Sequence, residues 1–185
     1  VRMTPCPKLQ RMQWRCKGET FSDETLPCPI SDVTTLSAMT IDADRIDPAF
    51  WFPTQLTSLE LKVRVEPVDG ALLTPLTCLQ QLVIEGANNE VPLDLSGLTA
   101  LTKFNAKQRP VSRLPTSLVQ CCVSLRSDFD FSSFTSLTSL SVVLTSDIRL
   151  TFPTGLKRLK INRKLANTNI ADVALESFDL ELPCR

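Results

Sequence analysis

The chain holds 185 residues, of which 43% are hydrophobic, enough to fill one sizeable core and too apolar for a disordered segment. Twenty basic residues offset twenty acidic ones, so no net field steers the protein to nucleic acid or an anionic membrane, and any electrostatic binding has to be local. Histidine is absent, which removes the commonest general base, the commonest metal ligand and every Ser-His or Cys-His nucleophile pair; catalysis, a cofactor and a bound metal are therefore not expected.

The first predicted element comes early. Leu9, Met12 and Trp14 follow a six-residue spacing, apolar-x-x-apolar-x-apolar. The spacing returns at Leu36-Met39-Ile41, Leu56-Leu59-Leu61, Leu79-Leu82-Ile84, Leu101-Phe104-Ala106, Leu118-Cys121-Val123, Leu137-Leu140-Val142, Leu156-Leu159-Ile161 and Leu175-Phe178-Leu180. These eight later copies start 17 to 23 residues apart, a period that belongs to a repeat architecture. The last two apolar positions of each copy alternate with polar ones, the pattern of a strand with one buried face. One such strand cannot bury its face alone, so consecutive strands are expected to stack in parallel into a solenoid. The connectors are rich in Pro, Asp and Ser and too short for a helix with two turns. They are expected to run as extended or 3₁₀ segments, with room for one helical turn after Leu61 and after Ile84.

With these copies in view, residues 33–182 resemble leucine-rich repeats. Phe52-Pro53-Thr54-Gln55-Leu56, Leu114-Pro115-Thr116-Ser117-Leu118 and Phe152-Pro153-Thr154-Gly155-Leu156 resemble the short, Pro-containing subclass. The resemblance implies a parallel sheet lining a concave face and a capped N-terminus. It also implies an Asn ladder after the strands, and here this chain departs from the family: Asn88 is the best candidate, while Asn162 falls on the sheet face. Thr and Ser are expected to satisfy the turns instead.

Three regions follow: a cap over 1–32, about eight repeats over 33–182, and 183–185 as an end whose Cys184 is expected either to begin a second cap or to sit free. Trp14-Arg15-Cys16-Lys17-Gly18 resembles the Cys-containing cap of secreted members of the family, which implies a disulfide between Cys6 and Cys16, with Cys28 as an alternative partner. Zinc is a poor reading of the same three cysteines, which lack close-paired spacing and any histidine. The acidic run Asp42, Asp44 and Asp47 lacks the ligand set of a calcium loop and reads as a solvated turn.

The residues alternating with the core positions would line the concave sheet in three columns. Column one runs from Ala38 through Ser58, Gln81, Lys103, Gln120, Ser139 and Arg158 to Ser177. Column two runs from Thr40 through Glu60, Val83, Asn105, Cys122, Ser141 and Lys160 to Asp179. Column three opens with Asp42, Lys62, Glu85 and Lys107, continues through Ser124, Val143 and Asn162, and ends at Glu181. Alternating charge at the head of column three predicts a cross-strand ladder of salt bridges, and Lys160 beside Asp179 predicts another pair. Lys103 and Arg158 have no such lateral partner. Arg158 and Lys160, with Lys157, Arg163 and Lys164 nearby, form the densest basic cluster. The candidate ligand-binding residues are thus Lys103, Arg158, Lys160, Glu60, Val83, Asn105 and Cys122.

The expected function is a non-catalytic module that binds a protein or glycan partner on the concave sheet, outside the cell or on its surface. No nucleic-acid partner is expected, and no apolar run approaches the roughly 20 residues of a membrane-spanning helix. Two alternatives stand beside it. The Pro-Thr-x-Leu phrasing also resembles bacterial effector repeats, which would make this a cytoplasmic adaptor or substrate-recognition domain. A neutral chain with open solenoid edges also fits a self-associating coat or wall component.

Overall fold

In a computed structural model, the protein is described at residues 8–22, 30, 33–66, 68–86, 92–144, 148–162 and 175–181, with only the backbone course given at 16–19, 107–109, 180 and 181. It is a parallel β-solenoid with almost no helix. One strand forms at each copy of the six-residue spacing: β1 (Arg11–Phe21), β2 (Ala38–Ile46), β3 (Ser58–Val63), β4 (Gln81–Gly86), β6 (Lys103–Arg113), β7 (Gln120–Leu125), β9 (Ser139–Leu144), β11 (Arg158–Asn162) and β12 (Ser177–Glu181). They lie side by side in the order β1-β2-β3-β4-β6-β7-β9-β11-β12, every pair parallel.

The leucine that opens each spacing anchors the coil. Leu36, Leu56, Leu79, Leu101, Leu118, Leu137 and Leu156 are all fully buried, each stabilising the fold by roughly 1.5–3 kcal/mol relative to an exposed side chain. Upstream of each, a single turn closes between an apolar residue, buried or half-buried, and the leucine three positions later. The Leu56 N–H donates to the Pro53 carbonyl at 3.1 Å, Leu79 to Leu76 at 3.0 Å, Leu101 to Leu98 at 2.9 Å and Leu156 to Pro153 at 3.1 Å. The Pro-Thr-x-Leu phrases are therefore one version of a turn that other coils build with Leu or Phe. Proline suits this place because its fixed φ favours the turn and its missing N–H is not called on there.

Backbone bonds knit the coils where the chain enters each strand. The Ser37 carbonyl accepts from the N–H groups of Thr57 and Ser58, Thr57 from Gln80 and Gln81, Thr102 from Val119 and Gln120, and Thr138 from Lys157 and Arg158. Hydroxyls add a third donor at four rungs: Ser37 to the Gln10 carbonyl at 3.1 Å, Thr57 to Ser37 at 3.1 Å, Thr102 to Gln80 at 3.2 Å and Thr138 to Val119 at 3.2 Å. Thr and Ser thus do serve the coil corners, at the strand entrance. Asn88 lies outside the described residues.

Extended segments carry much of the back. Short strand β5 (Leu93–Asp94) pairs with the far end of β6, and β8 (Phe129–Asp130) pairs with β10 (Leu150–Thr151) in a small second sheet. The connector after β3 holds one 3₁₀ turn, Gly70–Leu72, whose entry is capped by Asp69. Of the connector after β4, the described part holds no helical turn, and residues 87–91 fall outside the description.

Two corrections concern column three. Strand β6 bulges between Ala106 and Pro110, so Ser124 pairs with Pro110 and not with Lys107, and Ser124 is buried. The β4–β6 pairing is described only from Gln81 to Val83, and the Lys107 side chain lies outside the description. At the exit of β4, Gly86 sits at φ 123° with the Val63 backbone where a Cβ would be, so the approach of β4 to β3 there requires glycine.

Of the cap cysteines, Cys16 has a described backbone in β1 but no described side chain, and Cys6 and Cys28 lie outside the described residues. Strand β1 itself forms, with Met12 beside Met39 and Trp14 beside Ile41. Trp14, Phe21, Phe50 and Phe52 then follow one another edge to face, with centroids 6.4, 4.7 and 5.0 Å apart.

Candidate functional site

Register places the first two facing columns side by side as the sequence spacing requires. Gln81, Lys103, Gln120, Ser139, Arg158 and Ser177 are lateral neighbours, as are Val83, Asn105, Cys122, Ser141, Lys160 and Asp179. Their alternation with Leu82, Phe104, Cys121, Leu140 and Leu159, all buried, turns them to the exposed side of the sheet.

A shallow depression of about 300 Å³ opens on this face, lined by Gln81, Val83, Lys103, Asn105, Gln120 and Cys122 among others. Four of the sequence-derived candidates, Lys103, Val83, Asn105 and Cys122, therefore come together. A second depression of about 540 Å³ lies further along the same face, around Gln13, Thr40, Ser58 and Gln81.

Electrostatics sorts the charges on β2 to β12. Lys62 sits 3.0 Å from Glu60 and 3.4 Å from Glu85, and the Glu60 contact, reinforced by Glu85, raises its pKa above the usual lysine value. The ladder at the head of column three is thus partly formed. Asp42 departs from it: Arg64, just past the end of β3, holds both Asp42 and Asp44. With Asp47 accepting the Ala49 N–H at 2.8 Å, every carboxylate of that acidic run is used inside the protein. Glu60 also accepts from the Thr40 hydroxyl at 3.4 Å. Lys160 pairs with Asp179 at 3.3 Å, and Lys157 with Glu176 at 2.9 Å, while Arg163 and Lys164 lie outside the described residues. Among the described members of the basic cluster, Arg158 makes no ion pair.

Lys103 and Arg158 are exposed and make no ion pair among the described residues. Arg11 joins them. It stands beside Ala38 at the head of column one, on the exposed face of β1, and also makes no ion pair among the described residues. Sequence reading overlooked it by starting the columns at Ala38, although the Leu9-Met12-Trp14 spacing already assigned it that place.

A third depression, about 780 Å³, lies elsewhere, between the connectors that follow β3 and β4. Its carboxylates are committed to turns. Asp69 accepts the Ala71 N–H at 2.9 Å, and Asp94 accepts the Ser96 N–H at 3.0 Å and hydroxyl at 2.6 Å. Those Ser96 bonds, with Arg113 nearby, hold the Asp94 carboxyl below its ordinary value. Its carboxylates serve the fold, whereas Lys103 and Arg158 on the sheet face make no ion pair among the described residues.

Cys121 and Cys122 divide as alternation requires. Burial, with the neighbouring Cys122 thiol adding to it, pushes the Cys121 thiol far above its ordinary pKa, so it acts as a small apolar core residue. Cys122 faces the depression. Cys78, Cys121 and Cys122 are unbridged.

No protein-family model matches this chain, and no curated protein matches it. Among the described residues no helix is long and apolar enough to cross a membrane.

Proposed function

We propose that this solenoid is a leucine-rich-repeat recognition module, non-catalytic, that binds a protein or glycan partner across the exposed face of its sheet. One observation carries the reading. On strands β2 to β12, the charged side chains described on that face are engaged in ion pairs except Lys103 and Arg158, which stand in one column with amide and hydroxyl side chains between them. An unpaired cation on a regular surface gains more from an incoming carboxylate or sulfate than one already neutralised. The surrounding paired charges keep the sheet soluble and in register.

An extracellular or cell-surface setting accompanies this proposal through the resemblance of the first repeat to a Cys-containing cap. The test is substitution. Lys103→Ala and Arg158→Ala are each expected to weaken a captured partner about two- to fivefold, as for exposed charge pairs, when measured by surface plasmon resonance against a panel of ectodomains and glycans. Unchanged affinity in both variants would move the site to the connectors.

A further inference from the structure

We infer that column one is a docking track for an extended acidic peptide lying across the strands, with carboxylates four residues apart meeting Lys103 and Arg158. The inference rests on the proposed use of this face and names its ligand class.

Column one carries cations and no carboxylate. From β1 to β12 it reads Arg11, Ala38, Ser58, Gln81, Lys103, Gln120, Ser139, Arg158 and Ser177. The described acidic side chains of the face stand in columns two and three, where Lys62, Lys160 and Arg64 hold Glu60, Glu85, Asp179 and Asp42. An anionic ligand on column one therefore meets positive charge without displacing an internal pair.

Spacing selects the ligand. Three strand intervals separate Lys103 from Arg158, about 14 Å at roughly 4.8 Å each. An extended peptide advances about 3.3 Å per residue and turns alternate side chains to the same side, so residues i and i+4 lie ~13 Å apart and face the same way. Four intervals separate Arg11 from Lys103, about 19 Å, which matches a third acid six residues from the first, again an even number. Both separations thus suit side chains on one side of an extended strand.

Chemistry between the cations points the same way. Gln81, Gln120 and Asn105 each offer an amide donor and an acceptor, the two groups that a peptide backbone presents. A densely sulfated polysaccharide would set several of its charges over the neutral Gln120 and Ser139. The described facing positions of columns one and two carry no aromatic ring, so a flat apolar ligand has no platform there.

Selection from a displayed library of random dodecamers, run on the whole protein, reads the spacing directly. Enrichment of Asp or Glu pairs separated by three residues is expected. A synthetic winner should bind the Lys103→Gln/Arg158→Gln double variant about five- to tenfold more weakly, the product of two exposed charge contacts, with affinity falling as salt rises. No enrichment, acids enriched at other spacings, or equal binding to the double variant would overturn the inference. A Gln120→Trp variant separates the two levels: a non-acidic winner lost on it, or a sulfated oligosaccharide lost on the double variant, overturns the peptide assignment and leaves the face as the site. Winners indifferent to both variants overturn the face reading as well.

Discussion

Single residues here divide sharply by which way they point, and the adjacent cysteines show how sharply. Cys121 and Cys122 are neighbours in sequence, yet one replaces a core leucine and the other borders the depression on the sheet face. Because the thiolate is the reactive form, a thiol whose pKa is raised by burial labels slowly. Alkylation of the native protein followed by peptide mass spectrometry is expected to modify Cys78 and Cys122 readily and Cys121 only on unfolding; prompt labelling of Cys121 would place it outside the core. The same experiment reads the cap, where Cys6 is expected in a bridge to Cys16 or Cys28. Residue chemistry of this kind was legible at Cys121 and Cys122, where alternation holds, but not at Ser124, which alternation turns outward and the structure buries. It was not legible at Asp42, because its partner Arg64 sits past the strand end, where strand periodicity assigns no direction.

Within each element, hydrogen bonds and apolar contacts contribute on different scales. Thr138 donates its hydroxyl to the Val119 carbonyl at 3.2 Å, but that carbonyl already accepts the N–H groups of Thr138 and Ser139. Thr138→Val is therefore expected to cost only about 0.5–1 kcal/mol in urea unfolding, whereas Leu137→Ala beside it should cost about 2–5 kcal/mol. The threonine rungs trim the coil, and the leucine column holds it. On the back, the Thr151 hydroxyl on Asp130, with the Ser132 N–H at 2.8 Å, depresses the Asp130 pKa below its ordinary 3.8. A folded-state pKa below the unfolded one gives stability that is present above the unfolded value and lost as pH falls through the folded value. The β8–β10 sheet is thus expected to weaken below about pH 4, and Asp130→Asn should flatten that acid limb; an unchanged limb would remove Asp130 from the account. Short strands such as β5, β8 and β10 escaped the sequence reading, because two residues are too few for a period. Their trace was the Asp-x-Ser phrase that follows Leu93 and Phe129, and it announces a turn more loudly than a strand.

For the molecule as a whole, a solenoid couples each coil chiefly to its two neighbours, so stability is shared locally. Interior strands β6, β7 and β9 bury their core positions on both sides. Strand β12 presents Phe178, in register with the buried Leu159, at 48% exposure. Native-state hydrogen exchange is expected to give the greatest protection at β6 to β9 and early exchange at β12; uniform protection from β1 to β12 would mean that the coils unfold as one unit. At this scale the parallel solenoid was legible. Eight copies of one spacing predicted eight strands and their lateral register. The exceptions are the irregularity between Cys16 and Thr20 in β1 and the bulge before Pro110 in β6, where the third column loses its line.

That constant register gives the protein a ruler whose unit is the coil. Removing the single coil that leads from β7 to β9 would leave Lys103 and Arg158 chemically untouched and bring them one strand interval closer. Changing a side chain alters how strongly this surface holds its partner. Changing the number of coils alters the length of partner it can measure.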